Sequence, residues 1–165
     1  MIARAVNSPR SWGPPLWNFL FVYAFRASTD KEVRTFRQIC ALLRRTLPCD
    51  DCRSSYNEIY AAEPPPAANQ RQACARWLWR VKDCVNQKLE KPFVPFSHAV
   101  AAFAPSSGHA DEALARCVAD VERWLGAVDA YARESDARAM RTHVTYALRA
   151  LEAHSGTSVL LDKVE

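Results

Sequence analysis

The sequence predicts an all-α protein. Three observations carry that class. Apolar residues recur at alternating spacings of three and four along most of the chain, helix-start signals stand ahead of those stripes, and no segment reads as a strong strand. No internal repeat is present.

The elements follow in order. Pro14-Pro15 suit a first helical turn, which has no use for the amides that proline lacks. The residues after them, to Phe25, are apolar nearly all round, the pattern of a buried helix. Thr29 with Glu32 forms a capping box. Behind it Val33, Phe36, Cys40, Leu43 and Leu47 make one apolar stripe, in which Cys40 reads as a small core residue. Pro48 opens a third helix over about 48–62, which Pro64-Pro65-Pro66 ends. A fourth helix is predicted over about 70–90. Cys74, Leu78, Val81, Val85 and Leu89 mark one of its faces, with Trp77 and Cys84 together on a neighbouring one, and Lys91-Pro92 stops it. Residues 92–103 leave room for a short helix, and Pro105-Ser106-Ser107-Gly108 is the best linker candidate. Beyond it Leu114, Cys117, Val118, Val121, Leu125 and Val128 form one helical stripe, and Met140, Val144, Ala147 and Leu151 another, with Gly156 placed where a helix commonly ends.

The chain has 165 residues, 49% of them hydrophobic and 24% charged, which is the balance of a soluble globular protein rather than a disordered one. A net charge of +4 is only mildly basic, and no run of Lys and Arg interleaved with aromatics marks a nucleic-acid surface. The apolar run Leu16–Phe25 is too short to span a membrane, which needs roughly 20 residues. It also opens on a proline pair and lacks a small-residue cleavage site, so no signal peptide is expected and the chain should stay in the cytoplasm.

The chemistry concentrates in "LPCDDC", residues 47–52. Cys49 and Cys52 are three apart, so on a helix they share a face. Behind Pro48 both thiols fall in a first turn, where unpaired amides and the positive end of the dipole stabilise a thiolate. Asp50 and Asp51 oppose that effect. Such a pair can bind a metal, fill a core or exchange a disulfide. Zinc normally asks for four ligands in close pairs, whereas the other cysteines (Cys40, Cys74, Cys84 and Cys117) are isolated and the four His residues scattered. A thioredoxin-like site asks for a βαβ context. A helical redox protein is the remaining reading, and a dithiol that hands on electrons needs an acceptor, of which flavin is the common organic one.

Three blocks, "WGPPLW" (12–17), "LPCDDC" (47–52) and "WLWRVKDCVNQKLEKP" (77–92), together resemble the Erv/ALR sulfhydryl oxidases, FAD-linked thiol oxidases. The resemblance covers roughly residues 11–96, and the opening block looks most like the short members carried by large DNA viruses. It implies a four-helix bundle with a short fifth helix cradling FAD, usually as a homodimer. It further implies protein dithiols and molecular oxygen as partners, and a place in host cytoplasm or virion. No metal, membrane or nucleic-acid site comes with it. Cys52 would sit against the flavin and Cys49 would exchange with the substrate. Trp12, Gly13, Trp17 and Phe21 would bind the cofactor from the first helix. Trp77, Lys82, Asp83, Val85, Asn86, Lys88, Leu89 and Lys91 would bind it from the fourth.

The chain departs from the family pattern at Phe21, where a His is frequent, at Lys82-Asp83 in place of His-Asn, and at Glu90 in place of Gly. A structural disulfide common in cellular members would need cysteines at Trp79 and near Pro95 or Phe96, and both are missing. No second redox pair is expected. Cys74 and Cys84 lie on one helix about 15 Å apart along its axis. The oxidase unit is assigned to residues 1–104 and a helical extension to 105–165. A flavin-free interaction protein on the same fold and a small zinc-bound adaptor stand as the alternatives.

Overall fold

Seven helices and no strand form among residues 8–155, the part of the chain that the computed structural model describes. They are α1 (Pro9–Arg26), α2 (Asp30–Thr46), α3 (Asp50–Ala62), α4 (Ala73–Lys88), α5 (Phe96–Phe103), α6 (Ala110–Tyr131) and α7 (Glu134–Ser155). The chain is all-α, with four helices, a short fifth and two long ones after it. Gly156 lies outside the described residues.

The first helix is buried on nearly every side, as its composition dictates. Trp12, Leu16, Phe19, Leu20, Val22 and Tyr23 are all closed to solvent, each burial contributing roughly 1.5–3 kcal/mol. It begins earlier than the proline pair suggests. Pro9 is its first residue, and Pro14 and Pro15 lie inside it. Their missing amides leave the carbonyls of Arg10 and Ser11 without ladder partners. The cost stays small because Arg10 is exposed and Ser11 half-buried, so water reaches the helix end.

The Thr29 cap forms, with the Glu32 side chain reaching the amide of Ser28 rather than that of Thr29. Thr29 Oγ1 accepts the Glu32 amide at 3.1 Å, and Glu32 Oε2 accepts the Ser28 amide at 3.0 Å. The stripe behind it, Val33, Phe36, Cys40, Leu43 and Leu47, is buried throughout. The third helix starts at Asp50 rather than at Pro48, because Cys49 itself caps it. The fourth starts at Ala73, after turns over 67–72. Its first half is buried and its end opens out, so Trp77 is buried whereas Cys84 and Leu89 are exposed.

The final two helices share the core of the first four. α6 lies antiparallel along α1, with Asn18 donating to the Ala113 carbonyl and Arg26 to that of Ala110, while Phe19 packs on Trp124 with ring centroids 5.6 Å apart. α7 lies antiparallel along α2, fastened by Arg45–Asp136 at one end and His154–Glu32 at the other. The segment expected to be a linker, 105–108, makes a tight turn in which the Ser107 amide donates to the Ala104 carbonyl at 2.8 Å.

Candidate active site

Cys49 and Cys52 are joined as a disulfide with Cα atoms 5.2 Å apart, within the span such a bond accepts. Both are half-buried. Cys49 has extended backbone, and its Sγ accepts the Cys52 amide at 3.2 Å, so sulfur serves as the helix cap. The positive end of α3 therefore faces the pair and favours a thiolate on it. Tyr56 ties the helix down, its hydroxyl donating to the buried carbonyl of Cys40 at 2.6 Å.

The two aspartates between the cysteines differ in surroundings. Asp50 is compensated, its Oδ1 taking Arg53 at 3.1 Å and the Tyr131 hydroxyl at 2.6 Å. The Arg53 guanidinium also lies over the Tyr131 ring, 5.1 Å from its centroid. Much of the opposition that the sequence assigned to Asp50 is thereby offset. Tyr131 comes from the end of α6, about 80 residues downstream, and periodicity carries no signal of that meeting.

The remaining cysteines sit apart from this chemistry. Burial pushes the Cys40 thiol well above its ordinary value, with Cys74 adding to it. Burial also raises Cys74 to about 11, against a lowering by Arg37. Cys117 is raised to about 12 by burial and Asp120. None of the three is poised to be a nucleophile. Cys84 is exposed and single.

A cleft of about 310 Å³ opens between α1, α4, α5 and α6. Of the residues expected to hold a cofactor, Trp17, Phe21 and Lys82 line it. Phe21 stacks on Phe103 at 5.1 Å, and Lys82 Nζ stands 4.6 Å from the Trp17 ring centroid. Burial, and then the charge of Lys91, lowers the pKa of Lys82. A second cleft of about 380 Å³ adjoins the first and shares Phe103 and Arg116 with it. An aromatic floor with cations around it matches the chemistry of an anionic, aromatic group such as FAD, and two adjoining clefts suit an extended ligand.

The other expected residues are placed elsewhere. Trp12 and Gly13 are buried near the start of α1. Trp77 fills the core with its indole N–H on the Glu63 carbonyl at 2.9 Å. Asp83 accepts from Gln87, and Lys88 pairs with Glu58 at 3.0 Å. Val85 and Asn86 are half-buried, and Leu89 and Lys91 exposed. Neither cysteine lines either cleft. Arg10, Phe103, Arg116 and Arg123 line the first one without having been singled out in the sequence. The i, i+7 spacing of the two α6 arginines was the one signal that could have found them.

Trp79, at one of the two positions where the resemblance would call for a disulfide, holds the chain. Its indole N–H donates to the Val94 carbonyl at 2.8 Å, and its ring meets Phe93 and Phe96 edge-on, each at 6.0 Å.

The chain has recognisable relatives among known proteins. The chain is 33% identical over 67 residues to an FAD-linked sulfhydryl oxidase ERV1 of Oryza sativa subsp. japonica, covering 41% of this chain and 34% of that protein. It is 28% identical over 86 residues to the protein of the same name from Arabidopsis thaliana, covering 50% and 44%. With sulfhydryl oxidase 1 of Arabidopsis thaliana it shares 27% over 85 residues, covering 52% and 16%. The chain thus spans less than half the length of these curated relatives. No solved structure matches it. The Erv1 / Alr family pattern matches residues 14–112. That stretch is more than half of the chain and holds both Cys49 and Cys52, so the chain belongs to the Erv1 / Alr family.

Proposed function

We propose that the protein is an FAD-dependent thiol oxidase that makes disulfides in protein dithiols. The observation that carries this reading is the Cys49–Cys52 disulfide at the N-terminus of α3 in a chain of this family. A substrate thiolate attacks Sγ of Cys49, forming a mixed disulfide and breaking the Cys49–Cys52 bond. Cys52 leaves as a thiolate, stabilised by the first-turn amides of α3. The second substrate thiolate then attacks the substrate sulfur, releases Cys49 and departs as a disulfide, so two electrons now rest on the reduced pair. FAD, when bound, would supply the two-electron sink for the reduced pair, with molecular oxygen as the final acceptor and hydrogen peroxide as its product. Trp17, Phe21 and Lys82 are the residues proposed to hold it, with Cys52 as the inner cysteine and Cys49 as the outer.

The machinery is assigned to residues 1–104, with 105–165 as the extension. A viral origin rests on the opening block alone. A cytoplasmic location is proposed from the sequence; no helix among the described residues is long and apolar enough to cross a membrane. A homodimer would need a face other than those of α1 and α2 that α6 and α7 cover, and light scattering at tens of micromolar tests it.

The flavin-free reading is favoured by one observation, the placement of Lys82 over the Trp17 face where an aromatic ligand would stack. The zinc adaptor lacks a comparable one, since no group of three or more metal-ligating side chains forms among the described residues. Denaturing the purified protein and assaying the supernatant decides the matter. About one FAD per chain is expected, with dithiol oxidation lost in Cys49→Ser and in Cys52→Ser. No flavin, even after incubation with excess FAD, would sink the oxidase.

A further inference from the structure

The first cleft gathers like charges. Arg10 of α1, Lys82 of α4, and Arg116 and Arg123 of α6 all line it, against the single carboxylate of Asp120. Asp120 is taken by Arg123 at 2.9 Å. Arg116 has only Glu112, at 3.7 Å, too long for a good hydrogen bond. Arg10 has no ion-pair partner among the described residues. Cations held together in one cleft repel one another, and an anion relieves that repulsion. The two α6 arginines are seven residues apart, so they share a face of the helix about 10 Å apart along its axis. Arg116 also stands where the two clefts meet, so an extended ligand crossing from one to the other passes it. Both side chains are more than half exposed, so a phosphate can compete with Asp120 for Arg123 and with Glu112 for Arg116.

We propose that Arg116 and Arg123, with Arg10, bind the diphosphate of FAD, so that α6 completes the cofactor site. This rests on the oxidase reading given above. The two α6 arginines lie beyond residue 112, where the family match ends, so the assignment gives the extension a part in binding the flavin. Guanidinium suits the task because its fork of donors pairs bidentately with phosphate oxygens. The Trp17 and Phe21 side supplies an aromatic surface for the adenine ring; neither cysteine lines this cleft, so the flavin ring must reach beyond it to Cys52.

The test uses the full chain stripped of flavin and titrated with FAD and, separately, with riboflavin, which has no phosphate. Replacing Arg116 and Arg123 together by Ala is expected to weaken FAD about tenfold or more and to leave riboflavin unchanged. Salt should weaken FAD binding to the parent chain more steeply than to this variant. The Arg116→Lys, Arg123→Lys chain should recover part of the affinity. Both positions are exposed on a helix, where Ala is a good former, so folding is expected to survive and is checked by circular dichroism. FAD binding equal in parent and Ala variant overturns the proposal and leaves the oxidase standing. Equal losses for FAD and riboflavin overturn it too, since the phosphates would then not be what the arginines read. A parent chain that binds no FAD overturns both.

Discussion

Glu90 has φ 55°, a left-handed backbone that among the described residues no other non-glycine adopts. It follows α4 in a helix-ending motif, with the Lys91 amide on the Asn86 carbonyl at 2.8 Å and the Glu90 amide on that of Gln87 at 3.1 Å. Such motifs favour glycine because a Cβ there meets the following carbonyl oxygen. The resemblance places a glycine at this position. Glu90→Gly should therefore stabilise the protein by about 1 kcal/mol, seen as a melting temperature higher by about 2–4 °C. Glu90→Ala keeps the Cβ and should gain little. An unchanged melt for the glycine variant would show that the turn is not strained. Single residues were legible where their chemistry is local. The Cys49–Cys52 spacing, the Thr29–Glu32 cap and the burial of Cys40 all read correctly from neighbours in sequence. Trp79 did not. In sequence it is only a position without a cysteine, and its bond to Val94 depends on how the chain turns after α4.

The pairing of α2 with α7 runs through Glu32, which is buried and lies 2.9 Å from His154 Nε2. Burial pushes its carboxyl up, but the Ser28 amide, His154 and Thr29 outweigh that and hold it below its ordinary value of 4.5. A depressed carboxyl contributes stability that is present above the ordinary value and lost as pH falls through the folded one. Melts between pH 7 and pH 3 should show the protein weakening on the acid side of 4.5. Glu32→Gln should be less stable at neutral pH by about 1–3 kcal/mol and show a shallower acid slope; matching slopes for the two chains would remove Glu32 as the cause. The stripes of α6 and α7 were read from sequence correctly as helices. What they pack against was not, because periodicity reveals that a helix has an apolar face and leaves the partner unnamed. The start of α1 was missed because Pro9 offers the same signal as Pro14.

The two long C-terminal helices close the molecule. Trp124, Leu125 and Val128 from α6, and Met140, Val144 and Leu151 from α7, belong to the same apolar core as Phe19 and Phe36. The Pro-Ser-Ser-Gly segment and the reach of the resemblance suggested an extension after residue 104, and in the packing α6 and α7 cover α1 and α2. A chain ended at residue 104 should expose those faces and self-associate or precipitate, as size-exclusion with light scattering would show. A soluble monomer with a sharp melt would contradict this.

That arrangement also fixes an order in time. The Cys49–Cys52 pair leaves the ribosome long before Tyr131, which meets Asp50 beside it, and α1 waits for partners about 95 residues downstream, as in the Asn18–Ala113 contact. Contacts so distant in sequence form only once the C-terminal helices exist. Until α6 and α7 emerge, the nascent chain carries an uncovered apolar helix and a dithiol without its α6 neighbour at once, the stage at which it is most exposed to aggregation.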